Sequence, residues 1–562
     1  MGPGDYTVSS GGKGVPLLRC EMCREHSPIR SNLAVAEEVA RQARYFVRDP
    51  LHDPFCKNPD CENHRVPLSQ AGATYAKSGT TNSGTQRYRC KLCNSTFAGK
   101  AHATARQRLP HKNRDLFMLT VNKVPISRIL ETTGIGFDSF YRKLNFIHVQ
   151  CQAFAGHRER RLLAGTFKLP KMYLSTDRQA YIVNWVGRKD RRTVQMNAIG
   201  TADQRTGYVF GMALNFDDQL HKASVEADAI AVGDIGLSPP HRKYARVWLD
   251  QDYAAAIANS KTRDAAEKDA IVRTAGLADK PPPLLIEAGL RYMDAMARDD
   301  IEQSEFKNAD VKLPSFGMGI HEQYTMYGHF VLLAKLLKTA PKVRLFMDQD
   351  SGFRAAAISA FGPMIKARTA DAFFVKVDKA ANAYEKTNAV AAARAAVLAF
   401  MVTEKIPDEG TAVVEMMKLE IKKSVSMTRW NDRWVRHVRP IAAEPSKYVC
   451  WLTKYAADDE EEDAENHHAR LLLRATLHPI DKFFMQTRRR VSLAERAVVS
   501  VRKQRRMWNG YGAYNPAILQ RYLEIYRTYY NYCLRGNDKK TPAMRLGLAK
   551  APIDPHAILH FG

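Results

Sequence analysis

Six of the nine cysteines fall before residue 94, as three pairs: Cys20/Cys23, Cys56/Cys61 and Cys90/Cys93. The last two pairs stand in "FCKNPDCENH" and "GTQRYRCKLCNSTF". Each pair offers two sulfurs from one turn, and two such knuckles suit a tetrahedral zinc ribbon. An all-sulfur tetrahedral site selects zinc, and the strand-like flanks disfavour an iron–sulfur cluster. Cys20/Cys23 are open between a second ion held with His26 or another histidine, and plain structural thiols. Cys151, Cys450 and Cys533 read as buried thiols. Ligand cysteines must stay reduced, which agrees with the N-terminus: "MGPGDYTVSSGGKGVPLLRC" has no apolar core of a secretory signal. No apolar run approaches the ~20 residues of a membrane span. The expectation is a cytoplasmic protein without a membrane partner.

The chain carries 85 Lys+Arg against 59 Asp+Glu, a net charge of +26. The positive residues come in clusters, so a polyanion, nucleic acid, is the expected partner rather than a merely basic solvated surface. At 562 residues the chain has room for about three to five domains of roughly 100–200 residues each.

After the cysteine pairs, "NRDLFMLTVNKVPISRILETTGIGFDSFYRKL" turns helical. Pro125 and Ser127 open one helix, Gly134 and Gly136 break it, and Asp138 or Ser139 caps the next. Helix, turn and helix with Arg142 and Lys143 exposed to a polyanion reads as a DNA-binding helix-turn-helix. Three strand candidates follow, "KMYLSTDRQAYIVNW", "RTVQMNAIGTA" and "TGYVFGMALNF", joined by polar turns as a meander. An apolar helix, "HEQYTMYGHFVLLAKLLKT", delivers the strand "KVRLFMDQD", with another helix and the strand "DAFFVKV" beyond. The predicted segments are an N-terminal piece over 1–50, the ribbon over 51–105 and the helix-turn-helix over 106–165. An α/β core over 166–378 is interrupted by an insertion over 379–481 and resumes over 482–562. The acidic run from Asp458 to Glu465 reads as a solvated loop, and one long helix is predicted from about Ala469 to Arg506.

Two acids ask for an explanation. Asp177 interrupts an alternating strand, where an acid costs β propensity. Asp348 closes the apolar strand "VRLFM", with Asp350 two places on as its competitor. Facing carboxylates on adjacent strands repel unless a cation lies between them, and Mg2+ or Mn2+ suits hard oxygen ligands. Glu495 stands among arginines in "FFMQTRRRVSLAERAVVSVRKQRRMW", with Arg488 and Arg502 seven positions to either side. On a helix those three share a face, so a carboxylate there can ligate metal while arginines hold phosphates.

These parts, in this order, resemble a DDE-type transposase of a bacterial insertion sequence. The resemblance runs from about residue 50 to 552 through "CKNPDC…YRCKLCNSTF", "YLSTDRQ", "LFMDQDSG", "LAERAVVSVRKQRR" and the tail "YRTYYNYCLRGNDKKTPAMRLGLAKAP". It implies an RNase H-like mixed sheet with helices. It implies an enzyme that binds transposon terminal repeats, cleaves the DNA and joins the freed 3′ end to target DNA by two-metal-ion chemistry. Asp177 takes the first Asp on the first strand, Asp348 the second at the end of the fourth, and Glu495 the Glu on a following helix. Glu495 trails Asp348 by 147 positions (495 − 348), so the insertion must interrupt the core, and Glu385 and Glu415 compete for the third place. Arg488, Arg489, Arg490, Arg496, Arg502, Lys503, Arg505 and Arg506 are expected on backbone phosphates. Trp508, Tyr511 and Tyr514 are open between stacking on a distorted base and packing, whereas the tyrosines of "YLEIYRTYYNYC" are read as core. Pairing two ends implies a homodimer or higher oligomer. The rival readings are a non-catalytic DNA-binding regulator with the same ribbon and helices, and a metal-dependent nuclease without strand transfer.

Overall fold

A computed structural model describes residues 6–10, 16–21, 26–47, 54–68, 74–82, 84–99, 103–104, 107–183, 194–253, 317–377, 382–426, 432–453, 464–495, 498–499, 506–507 and 515–561. In chain order, a small antiparallel sheet (β1 Tyr6–Ser10, β2 Pro16–Cys20, β3 His26–Pro28) leads to helix α1 (Asn32–Val47). A second small sheet follows (β4 Tyr75–Thr80, β5 Gln86–Cys90, β6 Thr96–Ala98), then helices α2 (Asn113–Thr120), α3 (Ile126–Thr133) and α4 (Phe137–Ala164). The middle of the chain contains β7 (Met172–Val183), β8 (Val194–Asp203), β9 (Val209–Leu214), β10 (Phe216–Asp217), α5 (Lys222–Ala231), β11 (Met318–Gly319), α6 (Glu322–Leu336), β12 (Val343–Asp348), α7 (Ser351–Lys366) and β13 (Ala370–Val377). Beyond it lie α8 (Ala383–Thr403), α9 (Glu409–Lys422), β14 (Val425–Ser426), β15 (Arg433–Arg436), β16 (Lys447–Trp451), α10 (Ala464–Leu473) and α11 (His478–Arg490). The last elements are β17 (Val498–Val499), β18 (Arg506–Met507), α12 (Pro516–Tyr532), α13 (Pro542–Leu546) and α14 (Pro555–Leu559). They divide into two compact units: residues 1–42, 162–489 and 493–520 in one, and 43–161, 490–492 and 521–562 in the other.

The first unit is mixed α/β. Its eight-stranded sheet has the order β14-β15-β16-β13-β12-β7-β8-β9. The meander β7-β8-β9 is antiparallel, as its alternating sequence requires; β12 joins the other side of β7 in parallel, and β13 lies parallel to β12. Central parallel strands are covered on both faces and so lose their alternation. That is why β12 reads "VRLFM" with Val343, Leu345, Phe346 and Met347 all buried. The charge inside that run, Arg344, is matched by Asp371 on β13 at 2.6 Å. On one face α6 covers the meander: His329 Nε2 lies 2.7 Å from Thr201 Oγ1, and Asn197 Nδ2 donates to Glu322 at 3.0 Å. On the other face α11 crosses β7 and β8. A Cβ at Gly200 would meet Ile480 at 3.1 Å and Phe484 at 3.4 Å, so the glycine permits this close approach.

Two expectations need correction here. The segment over 379–481 is not a separate insertion body: β16 pairs antiparallel with β13, and Arg354 on α7 binds Asp432 beside β15, so its strands widen the main sheet. The first residues do not stand alone either. Arg41 on α1 donates to the carbonyls of Phe216 (2.8 Å) and Leu214 (3.0 Å), and Ala34 joins an apolar cluster with Val225, Val247 and Ile320.

In the second unit, α2, α3 and α4 bury Phe117, Ile129, Ile135, Phe140 and Leu144. Gly134 ends α3 in the left-handed conformation (φ 63°) and turns the chain into α4. The C-terminal helix α12 packs along α4. Glu524 meets His148 Nε2 at 2.5 Å, Arg527 donates to Glu159 at 2.8 Å, and Phe154 and Tyr532 meet edge to face. The tail over 521–562 therefore folds with the ribbon and the three helices rather than resuming the sheet core, as its sequence position suggested. Tyr522, Tyr526 and Tyr532 are fully buried, which matches their reading as core.

Candidate functional site

The β4-β5-β6 sheet is held around Tyr75 and Phe97. Tyr75 accepts from the Cys56 backbone N–H (3.1 Å) and donates to the Val66 carbonyl (2.9 Å), which ties the first knuckle to the sheet. Cys90 ends β5, and Asn94 takes a left-handed turn (φ 56°) that brings Cys93 round beside it. The sulfurs of Cys56, Cys61, Cys90 and Cys93 all lie within 4.8 Å of one another. Cys56 and Cys93 are 3.4 Å apart and Cys61 and Cys90 3.7 Å. Tetrahedral zinc with ~2.3 Å Zn–S bonds needs sulfurs ~3.8 Å apart, so the donor set fits a metal such as zinc.

Four thiols this close cannot ionise alike. Hydrogen bonds from Ser95, through its hydroxyl and its backbone, lower the Cys93 pKa to about 6. Burial opposes ionisation of Cys90, but the Asn63 amide and the backbone N–H groups of Cys93 and Leu92 outweigh it and lower its pKa. The backbone N–H of Asn63 favours the Cys61 thiolate, yet burial and the other three thiols together push Cys61 up to about 12. A central divalent cation relieves this conflict by letting all four ionise. Ser95 and Asn63 were not singled out from the sequence; the only clue is their position just outside the knuckles. Cys20 ends β2, and Cys23 lies outside the described residues.

The acids belong to the sheet unit. Thr176 on β7 pairs with Met347 on β12. Continuing that parallel register by one residue sets Asp177 beside Asp348, with both side chains on one face. It is the α11 face: Ser175 Oγ donates to the Thr476 carbonyl at 2.7 Å, and Gln179, with its carboxamide oxygen turned to the guanidinium, accepts from Arg488 Nη2 at 2.7 Å. Asp177 is buried and also accepts from the Arg178 backbone N–H at 2.7 Å, while Asp348 is half-buried. Asp350 is engaged differently. It caps α7 by accepting from Gly352 N at 2.7 Å and forms an ion pair with Arg178 Nη2 at 3.0 Å. The pleat turns Arg178 to the α6 face, opposite Asp177.

Glu495 departs from expectation. Among the described residues, the stretch predicted as one long helix over 469–506 contains two helices, α10 and α11, a short turn over Ser492–Ala494, and the short strands β17 and β18. Glu495 follows that turn, exposed and outside any helix. The β-branched and hydroxyl residues Val491 and Ser492 stop the helix, so Glu495 does not share a helical face with Arg488. Among the described residues, the four cysteines are the only group of three or more ionisable ligands with donor atoms within 4.8 Å of one another. Asp177, Asp348 and Glu495 do not close to that distance. Glu385 caps α8 in a capping box and Glu415 pairs with Lys418 at 2.7 Å.

Of the residues predicted to hold DNA, Arg142 and Arg489 are exposed and Arg488 lies on the acid face. Lys143 is a correction: it is only 7% exposed, and its ammonium donates to the Leu109 carbonyl (3.0 Å) and Asn113 Oδ1 (2.7 Å) inside the three-helix core. Arg490 donates to Asn122 Oδ1 at 2.9 Å. Arg496, Arg502, Lys503, Arg505, Trp508, Tyr511 and Tyr514 lie outside the described residues. One residue of the region was missed. Buried Glu444 accepts from Thr476 Oγ1 (2.7 Å), Leu477 N (2.7 Å) and His478 N (3.0 Å), and so pins the start of α11. No described helix is long and apolar enough to cross a membrane. No family model, curated protein or solved structure matches the chain.

Proposed function

We propose that the chain is a DNA transposase of the DDE type, with an RNase H-like core, that cleaves transposon ends and joins the 3′ end to target DNA. The observation that carries this reading is the parallel pairing of β7 with β12 through Thr176 and Met347, each one residue before an acid, Asp177 on β7 and Asp348 on β12. The five strands β9-β8-β7-β12-β13 support it: three antiparallel, then two parallel, with the acids on the first strand and at the end of the fourth. The choice of Asp348 over Asp350 rests on the capping and ion-pair duties of Asp350. Two neighbouring carboxylates suit Mg2+ or Mn2+, which would activate water and stabilise the leaving oxygen on phosphorus. The chain itself supplies Arg488, fixed on the same face by Gln179, to hold a phosphate near the acids. The cysteine ribbon and the α3-turn-α4 pair, with Arg142 exposed near the start of α4, are assigned to binding the terminal repeats.

A second reading has one observation in its favour. The third acid, Glu495, is exposed and does not join the other two within 4.8 Å, as a DNA-binding regulator without catalysis would allow. Mn2+-dependent cleavage and joining of a labelled terminal-repeat duplex separates the readings. Asp177→Asn and Asp348→Asn should each reduce cleavage by at least about a thousandfold with unchanged binding. Asp350→Asn should leave cleavage within about tenfold while lowering stability by about 1 kcal/mol through the weakened cap. Cleavage that survives Asp348→Asn would overturn the assignment. Cleavage without joining would leave a nuclease.

A further inference from the structure

Helix α8 meets the rest of its unit along one side, and its single buried residue is Val397. The opposite side carries Tyr384, Asn388, Ala391, Ala395, Leu398 and Val402, every one of them exposed. Their spacings alternate 4, 3, 4, 3 and 4 residues, the rhythm of a heptad seam. Large apolar side chains stand in water here: Tyr384 is 75% exposed, Leu398 51% and Val402 79%. Between them Ala391 and Ala395 let another backbone come close. At ~1.5 Å per residue the seam runs about 27 Å.

The chemistry of this seam selects its occupant. None of its six residues is charged, so a nucleic acid finds nothing to hold. In a chain of net charge +26, most surfaces repel a second copy; an uncharged apolar stripe is where two copies can approach. Asn388 makes the choice sharper. Against a wholly apolar partner its amide would be buried without a mate, whereas in a parallel pair of identical helices it meets its own counterpart. We propose that α8 docks on α8 of a second copy of this chain as a parallel two-stranded coil, with Asn388 setting the register. Fewer than three full heptads make a short coil, so this association is weak and depends on concentration.

Sedimentation equilibrium of the full chain, from about 1 to about 100 µM in about 0.5 M salt, screens contacts through polyanions and tests the proposal. The wild type should move from monomer to dimer over that range. Leu398→Glu, an exposed change that sets two carboxylates against each other in the coil, should raise the dissociation constant at least about tenfold with the same far-UV spectrum and melting curve. Asn388→Leu should tighten association or admit higher oligomers. A wild type that stays monomeric, or a Leu398→Glu chain that associates as tightly as wild type, overturns the interface. An Asn388→Leu chain identical to wild type overturns the register.

Discussion

His329 lies buried against the sheet, its Nε2 2.7 Å from Thr201 Oγ1, and burial alone lowers its pKa from 6.5 to about 3. His437, beside β15, is brought to about 3 as well, by burial first and then by the Lys447 charge. Both stay neutral in the folded chain, whereas in the unfolded chain each takes up a proton below about pH 6.5. Stability is therefore indifferent to these groups above that pH and falls as the pH drops from about 6.5 toward 3. At pH 5 the loss is about 2 kcal/mol for each histidine, at about 1.4 kcal/mol per pH unit. Urea midpoints measured between pH 7.5 and 5 should show it, and His329→Gln should flatten the curve by about the share of one histidine. Individual residues were legible where their meaning is local. The four cysteines are two knuckles with a recognisable spacing, and Asp177 and Asp348 are acids in or ending strands. Lys143 was not legible, because burial of an ammonium depends on Asn113 at the start of α2 and on Leu109 in the chain just before it.

Elements were legible where periodicity was strong, and misread where charge stood in for it. The strands "KMYLSTDRQAYIV" and "VRLFMD" are close to expectation. The basic run after Arg490 carries valines and a serine rather than a helical apolar stripe, and the helix stops there. The placement of α11 depends on Glu444, which lies in a loop with no periodic signal. Its carboxylate satisfies two backbone N–H groups and a hydroxyl at the start of α11, while its other oxygen takes Lys447 at 2.8 Å. Glu444→Ala would leave the buried Lys447 ammonium without a carboxylate, with only the Ala475 carbonyl to hold it, and would take the acceptor from those donors, at a cost of about 3 kcal/mol. Urea unfolding should report that loss, while Glu444→Gln, which keeps one acceptor oxygen, should cost less. If the two variants are equally stable, the pinning of α11 lies elsewhere.

For the whole molecule, the division into two units predicts that metal removal acts on one of them. Removing a metal such as zinc from the Cys56, Cys61, Cys90 and Cys93 set should weaken the unit that contains them by several kcal/mol and leave the sheet unit nearly unaffected. Calorimetry with and without a chelator should show one melting transition move and the other stay; a common shift would mean that the units unfold together. The membership of these units was the least legible level. Nothing local in "YLEIYRTYYNYC" says that it will pack against a helix nearly four hundred residues earlier, as Glu524 does against His148. That closure has an order of events built into it. A ribosome has already released the cysteine knuckles and α4 long before it reaches the tyrosines that α4 needs as a wall. Until the final forty or so residues emerge, the front body must wait with its apolar side open. A message cut short upstream of Arg521 would then yield a product that chaperones and proteases treat as unfinished, rather than a stable fragment competing for the same sites.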